Sequence, residues 1–534
     1  MINKNVLLSA WFLFLTVQLA VGQNVTIVPT GISPNQGAGM AKLSYEEIQA
    51  LPNPQVGDMV VDMSFKRPRI YDGKQWLLMA TFQDAKTPEY ATTSLGEYTT
   101  RCWINDFEVD AAGTMYLAGR YRGPLKVGDY TLPNYFGYDD AFVAKVNSTG
   151  HTEWAVTIAN TEENDNVTAL ARDSQGNIFI GGSFKGTVAF GNTNLTANGR
   201  SDMFFAKLNP QGEYIWAKSY GSSTMDEGIT DLETDQNDNV FLLTGINSAY
   251  NVEGITLSSR GGTDMSVIKF DNNGTYIWHV NAGGSSYDFG HDLKIDHLGN
   301  VYFAGSIFER GFIGHFEYEL DEYASNAFLN FVACFSNAGS RVWVRTWETY
   351  GSLSMDFSIL HKSISVNKYR HVFVGGQYTR SAYFNAYYNF PQDSFNPVGE
   401  QAYLIRLDGI DYGNLFWVRI LGGTRNERIS SVASNDNDEV IATGWYNYAD
   451  ALTGDLGLRG RTDIFLTKYD GLGNRKWAES HGGADFDYGR IVNIAPNGLI
   501  YTTGEIENSA TIGTELIGYP ANFIGTYILK RKDD

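Results

Sequence analysis

DSQGNIFIGGSF, residues 173–184, decides the fold. Asp173 and Gly176 hold the first and fourth places of a tight turn, the arrangement type I turns favour. A short apolar strand follows and ends on Gly-Gly. The element returns roughly every sixty residues, as AAGTMYLAG (111–119), QNDNVFLLTG (236–245), HLGNVYFAG (297–305), YRHVFVGG (369–376), NDEVIATG (437–444) and PNGLIYTTG (496–504). Seven copies of one supersecondary unit outrank any local signal.

Around the quoted stretch, one copy reads as four strands: VTALARD (167–173), NIFIGGSF (177–184), DMFFAKL (202–208) and EYIWAKSY (213–220). A second tight turn, Asn209-Pro-Gln-Gly212, joins the last two. The strands do not alternate apolar with polar, so both faces of each sheet are buried. Four-stranded sheets sandwiched by neighbours and stacked radially make an all-β fold, a seven-bladed β-propeller. A linear β-solenoid is the rival, but its rungs are shorter.

Six copies carry a Trp in the fourth strand: Trp154, Trp216, Trp278, Trp343, Trp417 and Trp477. The seventh ends in its third strand, TYILKRKDD (526–534), and lacks an outer one. EYATTSLG (89–96) fits the gap, with Tyr90 in the Trp place. Pairing the two ends removes the free edge at the seam.

The pattern D-x-F-x-A-K, G-x-x-x-W, G-G-x-x-x-D, D-x-x-G-N-V-Y resembles the SBBP family, the seven-bladed β-propeller repeats of secreted bacterial proteins. It spans roughly 88–534. DMFFAK, DMSVIK and DIFLTK match best, whereas NFVACF (330–335) and QAYLIR (401–406) have lost the leading Asp and the Lys. The resemblance implies a propeller and no catalytic residues. Ahead of it, LSYEEIQALPNPQVGDMVVDMSFKRPRIYDGKQWLLM (43–79) resembles a small module found in secreted bacterial proteins and phage tail-fibre tips. The expected organisation is a signal peptide over 1–22, an adaptor module over 23–82 and the propeller over 83–534.

Lys4, the apolar run VLLSAWFLFLTV (6–17) and Ala20-Val21-Gly22 form a secretory signal with cleavage near Gly22. The run is too short to span a bilayer. A secreted, periplasmic or cell-surface protein is expected, without membrane insertion. A net charge of −20 disfavours nucleic acid and anionic lipid. Cys102 and Cys334 fall in the first and fourth copies, nearly opposite in a ring of seven, so two free thiols are expected. The ring itself reads as a monomer.

Antiparallel blades send their tight turns to one face and their longer connections to the other, where binding is expected. Two features belong to that long-connection face. One is an acid that recurs eight residues before the turn in five of the seven copies: Asp165, Glu227, Asp288, Glu427 and Asp487. They form a ring at the channel mouth, read chiefly as acceptors for backbone N–H groups of the Gly-Gly loops and, less so, as a cation or partner site. The other is the aromatic lengthening of copies four and five, 308–326 and 378–400. Phe316, Tyr318, Tyr378, Tyr383, Tyr387 and Tyr388 are its candidate binding residues, with exposed rings expected at Tyr378, Tyr387 and Tyr388. Exposed aromatics suit sugar rings or a protein hot spot.

No nucleophile elbow, His-Glu-x-x-His or Walker loop is present. No catalytic residue, metal or cofactor is assigned. The expected function is a non-enzymatic binding or scaffold protein that meets a glycan or protein. The alternatives are a polysaccharide-acting enzyme using the mouth acids and a structural part of a surface assembly.

Overall fold

Seven antiparallel sheets stand around one axis in the computed structural model, and the first strands of neighbouring blades touch all the way round. The described residues are 15–18, 24–28, 31–34, 42–43, 48, 50–54, 59–62, 67–71, 76–78, 90–95, 101–134, 137–159, 162–319, 327–350, 364–378, 381–383, 400–410, 412–421, 426–447, 456, 458–513, 515–518 and 524–532. Two compact units divide the chain, Met1–Pro88 with Asp534, and Glu89–Asp533. The smaller unit holds a three-stranded sheet (Leu15–Gln18, Asn24–Val28, Gly31–Pro34) and a four-stranded one over 42–78. The larger is the propeller.

Blade 2 shows the plan, with strands Asn166–Arg172, Ile178–Phe184, Asp202–Leu208 and Tyr214–Tyr220 counted outward from the axis. Every residue of its third strand is buried, as expected of a sheet covered on both faces. Cores lie between blades: one cluster joins Tyr116, Ala118 and Val143 of blade 1 to Leu170, Phe184 and Phe204 of blade 2. The long connection between second and third strands folds into a small hairpin, such as Thr187–Phe190 with Thr193–Thr196. In blades 4 and 7 this hairpin adds to the preceding blade's sheet, through Ala282↔Ile313 and Gly482↔Thr511.

The ring closes as the register of the repeats requires. Ile524–Lys532 is the third strand of blade 7, and Tyr90–Leu95 is its fourth. Arg531 faces Tyr90 as Lys207 faces Trp216 and Lys269 faces Trp278. Ile491, Tyr501 and Ile528 of blade 7 share a core with Phe107, Leu117 and Phe142 of blade 1. Cys102 and Cys334 are free and buried.

Five of the six outer Trp residues clasp the next blade, Trp216 through contact with Gly274. Trp154, Trp278, Trp343 and Trp417 donate Nε1–H to the carbonyls of Pro210, Asn337, Gly409 and Gly471 at 3.0, 3.0, 3.2 and 3.0 Å. Those carbonyls lie in the tight turn joining the next blade's last two strands. The turn's Gly lies on the indole: a Cβ on Gly212 would come 3.0 Å from the Trp154 ring, and Gly212 has φ +83°. Only glycine meets both demands. Gly212→Ala is expected to cost about 1–3 kcal/mol in a denaturant melt. A cost under about 0.5 kcal/mol, the usual range of a neutral surface change, would refute the clasp. Trp477 has no such turn to grip because the chain breaks at that place in blade 7. Arg531 lies 3.8 Å over its ring, and its Nε1 is buried without an acceptor.

Candidate functional site

The channel wall is stitched by side chains of the first strands bonding to the next blade. Asp106 Oδ2 accepts from Leu170 N, Thr168 Oγ1 donates to Ile229 O, and Asp231 Oδ2 accepts from Leu293 N. Asp292 Oδ2 accepts from Ile364 N, Ser365 Oγ from Ser434 N, and Ser431 Oγ from Val492 N. Asn493 Nδ2 donates to Phe107 O and completes the circuit. Deeper charges neutralise one another, with Arg172 on Glu108 at 2.8 Å and Lys294 between Glu233, Asp292 and Asp231. Burial raises the Glu108 and Glu233 carboxyls, and it pushes His291 down to about 4. The imidazole is therefore neutral at physiological pH and bonds Ser306 Oγ at 2.7 Å.

Every first strand described at this level carries a β-bulge at one place, with Asn105, Thr168, Thr230, His291, Ser430 and Arg490 as the extra residue. A bulge re-aims neighbouring side chains and is typical of strand ends near functional sites. One rung beyond it, toward the long connections, the blades stop resembling one another. The cross-strand pair there is Trp103–Arg120 in blade 1, Asn166–Ser183 in blade 2 and Phe289–Ser306 in blade 4. It is Arg428–Trp445 in blade 6 and Tyr488–Glu505 in blade 7, whereas blade 3 carries Gly228 and Gly245 there.

Blades 6, 7 and 1 are consecutive around the closed ring, and they concentrate aromatics and arginines. Arg428, Arg490 and Arg120 lie over Trp445, Tyr488 and Trp103 at 5.6, 5.1 and 4.7 Å from the ring centroids. Trp445 meets Tyr488 edge-on at 5.8 Å across the blade boundary, and Tyr488 stacks on Phe486 at 6.5 Å. These rings are half-buried, with part of each open. Two guanidinium nitrogens of Arg428, Nε and Nη1, are buried without a hydrogen-bond partner. Beside the arc, between blades 1 and 2, lies a polar cavity of about 310 Å³ whose lining includes Arg120 and Lys185 and the carboxylates Asp139, Asp165 and Asp226.

The expected site in blades 4 and 5 is only partly present. Tyr378 is 3% exposed and stacks near Tyr403, 6.4 Å between centroids, which corrects the expectation of an open ring. It falls on the strand His371–Tyr378 at a position facing the adjacent core, so its strand phase buries it. Phe316 is exposed on the hairpin of blade 4, where Arg341 lies over its ring at 3.2 Å and bonds Tyr318 Oη at 3.0 Å. That hairpin sits on the outer rim, away from the channel mouth. Tyr383 lies on a strand added to the outside of blade 4, and Tyr387 and Tyr388 are outside the described residues.

The five acids are no more than 2% exposed. Asp288 accepts from Gly284 N and Phe308 N at 2.5 and 2.8 Å, and Asp487 from Gly483 N and Glu507 N at 2.6 and 3.1 Å. Glu227 accepts from Ser222 N and Oγ, and Asp165 from Lys185 N. Among the described residues no group of three His, Cys, Asp or Glu side chains is placed to hold a metal ion.

No family model and no curated protein matches the chain. Among solved structures, the β-propeller domain of the trilobed protease from Pyrococcus furiosus, described as having an open velcro topology, is 9% identical. It covers 79% of this chain and 97% of its own at a TM-score of 0.39. A polysaccharide lyase acting on ulvan is 11% identical, with coverage of 77% and 93% and a TM-score of 0.34. Cobalt-substituted Synechocystis apocarotenoid oxygenase is 10% identical, with coverage of 80% and 95% and a TM-score of 0.36. Such likeness extends to the fold alone and selects no activity.

Proposed function

We propose that this chain is an exported, non-enzymatic binding protein of the SBBP type, with the channel mouth of blades 6, 7 and 1 as its binding surface and a glycan as ligand. The observation that carries this reading is the departure from symmetry at one rung. Consecutive blades 6, 7 and 1 place Trp445, Tyr488 and Trp103 on that rung, each with an arginine, while blade 3 has two glycines. Ring faces give sugars a stacking surface at small side-chain entropy cost. Although Arg120, Arg428 and Arg490 pair with Asp139, Glu400 and Glu505, Arg428 keeps two nitrogens to bond a hydroxyl or carboxylate. The enzymatic alternative loses ground because Asp288 and Asp487 are buried and bonded to backbone N–H groups, although Asp165 lines the cavity between blades 1 and 2.

A glycan array probed with the full mature chain and with Trp103→Ala/Tyr488→Ala tests this. Binding that falls at least tenfold in the double variant, with Phe316→Ala unchanged, supports the mouth. Equal binding by the native and double-variant proteins removes it. Loss in Phe316→Ala alone moves the site to the hairpin of blade 4.

A further inference from the structure

At five blade boundaries one backbone bond brings two side chains together. Asp165, Glu227, Asp288, Glu427 and Asp487 donate their N–H to the carbonyls of Asp139, Ser201, Thr263, Glu400 and Thr462, at 2.8, 3.0, 2.7, 3.0 and 3.1 Å. The residue after each carbonyl opens the preceding blade's third strand. The resulting pairs are Asp140/Asp165, Asp202/Glu227, Asp264/Asp288, Gln401/Glu427 and Asp463/Asp487. None of these side chains is more than 3% exposed.

The third-strand partners are half satisfied. One oxygen of Asp202, Asp264 and Asp463 accepts from Asn198 N, Arg260 N and Arg459 N at 3.0, 3.1 and 2.7 Å. The other, Oδ1, is buried with no hydrogen-bond partner in all three. In the last pair that oxygen and the facing carboxyl converge on one point. A Cβ on Gly482 would be 2.5 Å from Asp463 Oδ1 and 3.1 Å from Asp487 Oδ2.

Among the described residues no salt bridge joins a cation to Asp264/Asp288 or Asp463/Asp487, although the charges of Arg260 and Arg459 lower the Asp264 and Asp463 carboxyls against the effect of burial. The Arg260 guanidinium lies over Phe312, and Arg459 bonds Ser480 O. Arg310, on the hairpin beside Asp288, reaches Glu319 instead. Asp226 and Asp485 add negative charge beside Glu227 and Asp487. Tyr250, Tyr446 and Tyr527 face Glu227, Asp463 and Asp487 as neutral phenols. At the fourth boundary the chain itself shows what fits: the Gln401 amide donates to Glu427 Oε2 at 3.3 Å.

We propose that Asp264/Asp288 and Asp463/Asp487 each hold one proton between two carboxyl groups, so the blades are locked by bonds that open as the pH rises. Two like charges in one dry site cannot both ionise at modest cost. Burial, followed by the facing carboxylate, pushes Asp264 up to about 7; burial pushes Asp288 up to about 6 and, with Asp463 and Asp485 adding to it, Asp487 up to about 7. The folded state therefore binds more protons than the unfolded chain between roughly pH 4 and 7. The stabilisation is full below that window and is lost as pH rises through it.

The test is the melting temperature of the full chain from pH 5 to pH 8.5, for native protein, Asp264→Asn/Asp463→Asn and Gln401→Glu, with calcium chloride or EDTA added. Native protein is expected to lose several degrees toward pH 8.5, and the asparagine variant to lose at most half as much. Gln401→Glu adds a third pair, so it should match native protein at pH 5 and fall more steeply above it; with Asp463→Asn alone it decides the matter if the double variant fails to fold. A native profile that is flat or rises with pH, or slopes equal in all three proteins, overturns the proposal. Calcium restoring the pH 8.5 melt of native protein but not of the asparagine variant also overturns it, in favour of a bound cation.

Discussion

Deletion of residues 89–96 is expected to unfold the entire propeller rather than one blade. Tyr90–Leu95 covers the third strand of blade 7 along the register Thr526↔Leu95 to Arg531↔Tyr90. Without it, Ile524–Lys532 becomes an open edge of the sheet that shares a core with blade 1. Each blade buries its apolar faces only against its neighbours, so stability is a sum of nearest-neighbour terms, and a ring with one boundary open starts to melt from there. The expected result is loss of the cooperative thermal transition and of near-ultraviolet dichroism. A circular permutant supplies the complementary case. Ending the chain as Lys532, a short turn, then 89–96 makes the closing strand an ordinary hairpin, and its melting temperature should equal or exceed the native value. A deletion protein that melts cooperatively within a few degrees of native shows that closure carries little of the stability.

Trp417→Ala is expected to cost about 3–5 kcal/mol, the range for a buried aromatic side chain. Trp417 is 3% exposed, lies over Gly473 of blade 6, and donates Nε1–H to Gly471 O. The substitution removes apolar contact area, empties the space over a turn held by a left-handed glycine, and leaves that carbonyl without its donor. Trp477→Ala should cost clearly less, because Trp477 is half-buried, has no turn beneath it and has no acceptor for Nε1. Denaturant melts of both variants check the order as well as the size. Equal costs would mean that the clasp on the next blade adds nothing to ordinary burial.

The repeat was readable because it is local. Turn chemistry such as Asp173-x-x-Gly176 and the unbroken apolar run after it are set within a dozen residues. Counting copies then yields seven blades and a missing strand. Even the partner of Arg531 followed, since Tyr90 keeps the spacing that Trp216 keeps in blade 2. The burial of the five acids was visible as a regularity, because a feature present in nearly every blade serves the architecture all blades share.

Side-chain phase at strand ends and pairings across strands were not readable. Tyr378 belongs to a lengthened, aromatic segment, yet the strand His371–Tyr378 continues far enough to turn its ring into the core beside Tyr403. Composition reports how many aromatics a loop holds, not which face the last residue of a strand takes. Trp103 and Arg120 stand on different strands, Trp445 and Tyr488 on different blades, and the Trp–Arg pair of blade 1 returns in blade 6 with its strands exchanged, so no motif marks them. The carboxyl pairs are hidden for a related reason: Asp264 opens the third strand of blade 3, Asp288 lies just before the first strand of blade 4, and they meet only once the blades pack. Sequence alone determined the blade, its number and its closure, because those follow from backbone pattern repeated along the chain. Which side chains share water, protons or a ligand was decided by the packing of one blade on the next, where distance along the chain no longer measures distance in space.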